Sequence, residues 1–204
     1  MNKTTIEKAI HHLSKIKEFQ ILIDKNPIPT FKKNDNYFDA LSKSIIYQQL
    51  SGKVAKIIYH RFISLFKQNS PNAKECLKLS IKDLKGIGLS RQKISYINNL
   101  SEFFIENNNL IDFNKLTDED IAKKLLSIKG IGPWTVDMFM MFTMLKVDIL
   151  PLGDLGIKKA IQKLFKLENL PSDKLMIEKS LKWKPYRTIA SCYLWTLVDD
   201  GDVW

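Results

Sequence analysis

Apolar residues along the chain return every three or four positions rather than every second one, which is the spacing of helix faces and not of half-buried strands. Phe38, Leu41, Ile45 and Ile46 make one such face, and Val54, Ile57, Ile58, Phe62, Leu65 and Phe66 make the next. No convincing pair of strands is found. Helix boundaries are written in the polar residues. Thr117 followed by Asp120 is a capping pair for a helix through Leu126, Pro133 suits the first turn of another running to about Leu145, and Ser172 caps a third through Lys182. A last helix follows Pro185 and carries Ile189, Tyr193, Leu194 and Leu197. The pre-proline stretches Asn26-Pro27-Ile28-Pro29 and Leu150-Pro151 break the pattern, because the residue before a proline is pushed out of the helical region. The pattern predicts an all-α chain, a single domain over residues 1–204 whose helical lobes divide near 30–36 and near 150.

A short internal repeat adds the first hint of chemistry. Lys85-Gly86-Ile87-Gly88 recurs as Lys129-Gly130-Ile131-Gly132, each copy preceded by an apolar residue, Leu84 or Ile128, and each lying between two helical patterns. Glycines let such a turn tighten, the central isoleucine plugs it into the core, and the following N–H groups at a helix start point outward, where they can hold a phosphate. Either copy alone reads equally as a helix connection with a glycine C-cap. Two copies, at 84–90 and 128–134, in a basic chain point toward DNA.

Composition narrows the partners. The 204 residues are 45% hydrophobic, enough for a real core, and the 32 basic residues exceed the 22 acidic ones by 10. That field would attract a polyanion or an acidic membrane surface, although a genome rich in A and T also produces a chain rich in Lys, Ile and Asn. No long basic amphipathic face with clustered aromatics supports membrane binding. Two cysteines, Cys76 and Cys192, are too few for an iron–sulfur cluster or zinc site. His11, His12 and His60 have no metal-ligand spacing and read as surface or packing residues, and Asp199, Asp200 and Asp202 read as a solvated acidic tail. No signal peptide and no stretch of roughly 20 apolar residues is present. The expectation is an intracellular protein, cytoplasmic and nucleoid-associated, or nuclear in a eukaryote.

The order of several blocks then carries a resemblance. Tyr47-Gln48-Gln49-Leu50-Ser51-Gly52-Lys53, Ile128-Lys129-Gly130-Ile131-Gly132-Pro133-Trp134-Thr135, Leu150-Pro151-Leu152-Gly153-Asp154-Leu155-Gly156-Ile157 and Trp183-Lys184-Pro185-Tyr186-Arg187 follow one another with the spacing of a known family. Between about Phe38 and Trp195 the chain resembles the helix-hairpin-helix superfamily of DNA glycosylases, and within it the alkylation-repair branch called 3-methyladenine DNA glycosylase II. The resemblance implies a two-lobed helical bundle with a cleft between the lobes, in a minimal form without the extra N-terminal domain of larger relatives. It implies hydrolysis of the N-glycosidic bond of alkylated purines such as 3-methyladenine, by a monomer acting on double-stranded DNA.

By that resemblance Asp154 is the essential acid, although an aspartate ahead of Leu155-Gly156-Ile157 is equally what a helix N-cap looks like. Cleavage develops oxocarbenium-like charge on the sugar, which a fixed carboxylate stabilises while it orients or deprotonates water. An alkylated purine is already cationic and leaves without being protonated. Relatives with lyase activity place a nucleophilic lysine where this chain has Trp134, so a monofunctional enzyme is expected. Trp134 and Trp195 match aromatic pocket positions, with Tyr47, Met138 and Leu155 beside them, and core packing is the alternative for Trp195. Leu50 matches the wedge that fills the hole left by an everted nucleotide, with a buried loop leucine as the alternative. Gln49, Ser51, Lys53, Gly130, Gly132 and Thr135 would contact the strands. No cofactor is required, but backbone carbonyls of Leu126, Ile128 and Ile131 would hold a structural sodium or potassium ion. The rivals are a non-catalytic module using both hairpins as phosphate clamps, and a glycosylase with lyase activity.

Overall fold

The computed structural model describes residues 1–107 and 111–198, and the acidic run Asp199, Asp200 and Asp202 lies outside them. Among the described residues the regular elements are helices and no strand occurs. In chain order they are α1 (Lys3–Leu13), α2 (Lys17–Lys25), α3 (Tyr37–Tyr47), α4 (Gly52–Ile63), α5 (Ala73–Cys76), α6 (Ile81–Gly86), α7 (Arg91–Glu106), α8 (Asp118–Leu126), α9 (Pro133–Phe142), α10 (Leu155–Phe165), α11 (Asp173–Lys179) and α12 (Arg187–Trp195). Side-chain caps start many of them. Thr117 accepts from Asp120 N at 3.1 Å and opens α8, and Ser172 accepts from Leu175 N at 3.3 Å and opens α11. α9 stops short of Leu145, which takes a left-handed φ of +56°. α11 gives way to a 3-10 turn over Ser180–Trp183, and Leu197 lies past the end of α12.

The chain divides into two compact units. The first joins Met1–Lys33 to Met140–Trp204 and is organised on α12, whose residues from Thr188 to Trp195 are all buried. α1, α2 and α10 pack on α12, α10 burying Ile157, Ala160 and Ile161, and Phe19 meets Trp183 edge-on at 5.2 Å. The second unit, Asn34–Phe139, is organised on α7, whose Ile94, Ile97, Leu100 and Phe104 are buried. α3, α5 and α6 pack on α7, and α4 packs on α3. The face α4 buries is Ala55, Ile58 and Phe62, while Val54 and Ile57, expected in the apolar face, are exposed. The boundaries fall between Lys33 and Asn34 and, inside α9, between Phe139 and Met140. The second is therefore not at the Leu150-Pro151 loop, which lies within the first unit.

The two Lys-Gly-Ile-Gly copies do not adopt the same conformation. Lys85 and Gly86 still belong to α6, which begins only at Ile81 and would be a single turn if it ended before them. Gly88, at φ +104°, closes that helix in a Schellman turn, with Leu89 N donating to Leu84 O at 3.3 Å and Gly88 N to Lys85 O at 2.9 Å. In the second copy α8 has already ended, and Ile128–Ile131 forms a β-turn closed by Ile131 N to Ile128 O at 3.0 Å, with Gly130 at φ +103°. Gly88 thus corresponds to Gly130, and Ser90 to Gly132, two residues out of the sequence register. Ser90 caps α7 with its own hydroxyl, accepting from Lys93 N at 3.2 Å. Gly132, immediately before α9, has no side chain to offer its helix.

Candidate active site

Asp154 is the N-cap of α10 and only 9% exposed. A turn from Pro151, closed by Asp154 N to Pro151 O at 3.0 Å, delivers it to the helix start. Its Oδ1 accepts from Ile157 N at 2.7 Å, the ordinary capping bond, and also from the indole N–H of Trp195 at 3.0 Å. The helix dipole favours an anion at this position, and two donors on one oxygen fix its direction. Gly156 is explained by the same pair: a Cβ there would sit 3.0 Å from Asp154 Oδ1 and 3.1 Å from the Trp195 ring, so the glycine lets carboxylate and indole close over the first turn.

The loop leading to Asp154 is held by the start of α12. Arg187 grips Asp148 in bidentate fashion, Nε to Oδ1 at 2.7 Å and Nη2 to Oδ2 at 2.9 Å, and Nη2 also donates to Asp148 O at 3.1 Å. Thr188 donates through Oγ1 to Lys146 O at 2.7 Å and accepts from Ile149 N at 3.1 Å, while its own N–H reaches Val147 O at 3.0 Å. One helix therefore fixes the loop with its first turn and the carboxylate with its last residue.

In the second unit the hairpin turn before α9 is held from behind. Asn99 Nδ2 donates to Lys129 O at 3.0 Å, Gln48 Nε2 donates to Gly130 O at 3.0 Å and to Thr135 Oγ1 at 2.9 Å, and the Tyr96 ring lies under Gly130. A Cβ at Gly130 would overlap that ring, and φ is positive, so glycine is required. A Cβ at Gly132 would meet nothing within 4 Å. The protein itself gives no reason for a glycine there.

Gln49 and Leu50 form the link between α3 and α4. Gln49 takes φ +56°, Leu50 N donates to Tyr47 O at 3.3 Å, and the Leu50 side chain stays 38% exposed. The buried-loop alternative for Leu50 is thus excluded. Gln49, Ser51 and Lys53 are exposed beside it. Lys93 Nζ donates to Ile46 O at 2.6 Å and Gln48 O at 2.8 Å, neutralising the end of α3, and burial lowers the pKa of its ammonium.

Other expected positions fare differently. Thr135 is 1% exposed, and its hydroxyl accepts from Gln48 Nε2. Met138, 1% exposed, packs in the core rather than on an open surface. Trp134 is half-buried in the first turn of α9, and Leu155 is 55% exposed at the start of α10. Trp195 is 4% exposed and lies 6.0 Å from Phe142, so what it presents to Asp154 is its N–H rather than an open ring face. Tyr47 meets Tyr59 at 6.5 Å and has the Lys43 ammonium 5.4 Å from its ring centre. The sequence assigned no role to Gln48, Lys93, Asn99 or Gly156. Gln48 and Gly156 sit inside recognised motifs, which is the signal available for them, whereas Lys93 and Asn99 act from a distant helix.

The superfamily profile described as HhH-GPD superfamily base excision DNA repair protein matches residues 42–185. The chain belongs to the HhH-GPD superfamily. Its relatives include DNA-3-methyladenine glycosylase 1 of Schizosaccharomyces pombe, 29% identical over 202 residues that cover 94% of this chain and 87% of that protein. The Bacillus subtilis protein YfjP is 33% identical over 169 residues, 79% of this chain, and the chain spans only 59% of its length. The HhH-GPD fold is shared with the solved S. pombe 3-methyladenine DNA glycosylase Mag1 in complex with abasic DNA, at TM-score 0.85 and 27% identity over 97% of this chain and 99% of that one.

Proposed function

We propose that the chain is a base excision repair glycosylase that everts an alkylated purine such as 3-methyladenine from duplex DNA and hydrolyses its N-glycosidic bond with Asp154. The observation that carries this reading is the Asp154 carboxylate, oriented by Ile157 N and Trp195 Nε1 in a chain of this superfamily. Aimed at the sugar, that anion stabilises the positive charge of an oxocarbenium-like transition state and directs water to C1′. Gly132 lets a phosphate approach the α9 amides, Leu50 fills the vacated stack, and Trp134 takes the everted base by stacking. Gln49, Ser51 and Lys53 contact the strands around Leu50. Trp134 stands where a Schiff-base lysine would be needed, which supports a monofunctional hydrolase.

A monovalent cation fits the second hairpin. The carbonyls of Lys129 and Gly130 are turned to Asn99 and Gln48, while Ile128 O, which accepts from Ile131 N, keeps a second lone pair and would hold the ion with the carbonyls of Leu126 and Ile131. Bound there it would add positive charge at a strand phosphate. Among the described residues no helix is long and apolar enough to cross a membrane. The proposed place of action is the chromosome, in the cytoplasm or the nucleus.

Incubation with dimethyl sulfate-treated duplex DNA tests the function: free 3-methyladenine or 7-methylguanine is expected, and binding without any base release would favour a non-catalytic module. Borohydride should trap no covalent protein–DNA complex during turnover. A trapped complex would overturn the monofunctional assignment.

A further inference from the structure

Gln48 is bonded to both parts of the second unit that the proposed function uses. Its side-chain nitrogen spends both protons on the hairpin side, on Gly130 O at 3.0 Å and Thr135 Oγ1 at 2.9 Å. Its main-chain oxygen is held by Lys93 Nζ at 2.8 Å, and the next residue, Gln49, reverses the chain at φ +56° to present Leu50. A non-glycine residue keeps such a backbone only where its surroundings over-determine it. Thr135 is buried and Gln48 half-buried, so a lost donor there is not readily replaced by water.

We propose that Gln48 is a positioning residue that locks Leu50 in register with the Gly130–Gly132 hairpin, so that gripping a strand and entering the duplex are one rigid action. The proposal rests on the reading of the chain as a base-everting glycosylase. A wedge is useful only at a set distance from the gripped phosphate, because it must enter the stack at the step being opened. An amide bridging hairpin and link sets that distance. The role predicts a split: duplex binding, made by phosphate contacts, survives loss of the amide, and eversion does not.

Gln48→Glu keeps the shape of the side chain, loses both donors and turns a carboxylate oxygen toward Gly130 O. Lys93→Met releases the link from the other side and leaves the amide in place. Each variant is compared with wild type for affinity to undamaged duplex, for single-turnover base release from dimethyl sulfate-treated DNA, and for the fluorescence rise of 2-aminopurine in a 2-aminopurine·T duplex. Near-wild-type affinity is expected, with base release lowered roughly ten- to a hundredfold, the cost of an ångström-scale misplacement, and with the fluorescence rise lost. Adding Leu50→Ala to Gln48→Glu should cause no further loss, since both disable one step. Release and fluorescence at wild-type levels, or losses that multiply with Leu50→Ala, would overturn the role of Gln48 while leaving an active wild-type enzyme in place. Should Gln48→Glu unfold, Lys93→Met decides by the same split. A wild-type protein that releases no base would bring down the glycosylase reading, and this proposal with it.

Discussion

At the scale of single residues, the capping role expected of Asp154 is present, and the oxygen that caps α10 also receives the Trp195 indole. The capping role was legible in the sequence, as an aspartate ahead of a helical pattern. The indole bond was not, since it joins residues on α10 and α12 that only folding brings together. Trp195→Phe removes that donor while keeping an aromatic ring. It should cost about 1.5–3 kcal/mol, the range for a hydrogen bond to a charged group, and lower base release more than DNA affinity. Urea unfolding together with single-turnover release checks this, and an unchanged release rate would deny Trp195 a part in orienting the acid.

At the scale of elements, periodicity located α3, α4 and α12 but gave no bounds for α1, α2 or α7, and it misjudged the face of α4, where two faces are both apolar. Val54 and Ile57 continue the apolar pattern of α4 yet lie outside its buried face. The repeat misled for a related reason: identical tetrapeptides take different turns because α6 starts so late that its first two repeat residues are still helical, while α8 has already ended. Sequence identity cannot report where the preceding helix began to close its hydrogen bonds. The two glycines of the second hairpin should therefore respond differently. Gly130→Ala meets both a positive φ and the Tyr96 ring, and should destabilise by about 2 kcal/mol or more. Gly132→Ala should cost under about 1 kcal/mol, the scale of a weakened cap, yet reduce duplex affinity by crowding the phosphate. Equal effects of the two on thermal unfolding, or intact binding by Gly132→Ala, would contradict the division of labour.

At the scale of the whole molecule, the all-helical class followed from spacing alone, and the two compact units divide between Lys33 and Asn34 and between Phe139 and Met140. The second boundary was misplaced because α9 runs unbroken across it, and no proline or glycine marks a junction inside a helix. The surplus of 10 basic residues predicts binding that weakens with salt, with a log–log slope of roughly −0.9 for each phosphate neutralised. Fluorescence anisotropy across a potassium chloride series reads that slope, and a flat response would contradict a backbone grip. Burial pushes the Cys76 thiol up to about 11 and the Cys192 thiol up to about 12, one in each unit. Neither should react with a disulfide reagent at neutral pH until its unit unfolds. Rapid native labelling of either would show that its core opens.

The substitution Asp154→Asn isolates the charge. Asparagine caps a helix as well as aspartate does and keeps an oxygen for Ile157 N and Trp195 Nε1, so folding and duplex affinity should hold. Release of 3-methyladenine and 7-methylguanine from methylated duplex under single turnover should fall by about a hundredfold or more, the scale of losing one preorganised charge contact at a transition state. Release at the wild-type rate by a folded, DNA-binding Asp154→Asn protein would mean that this carboxylate is only a cap.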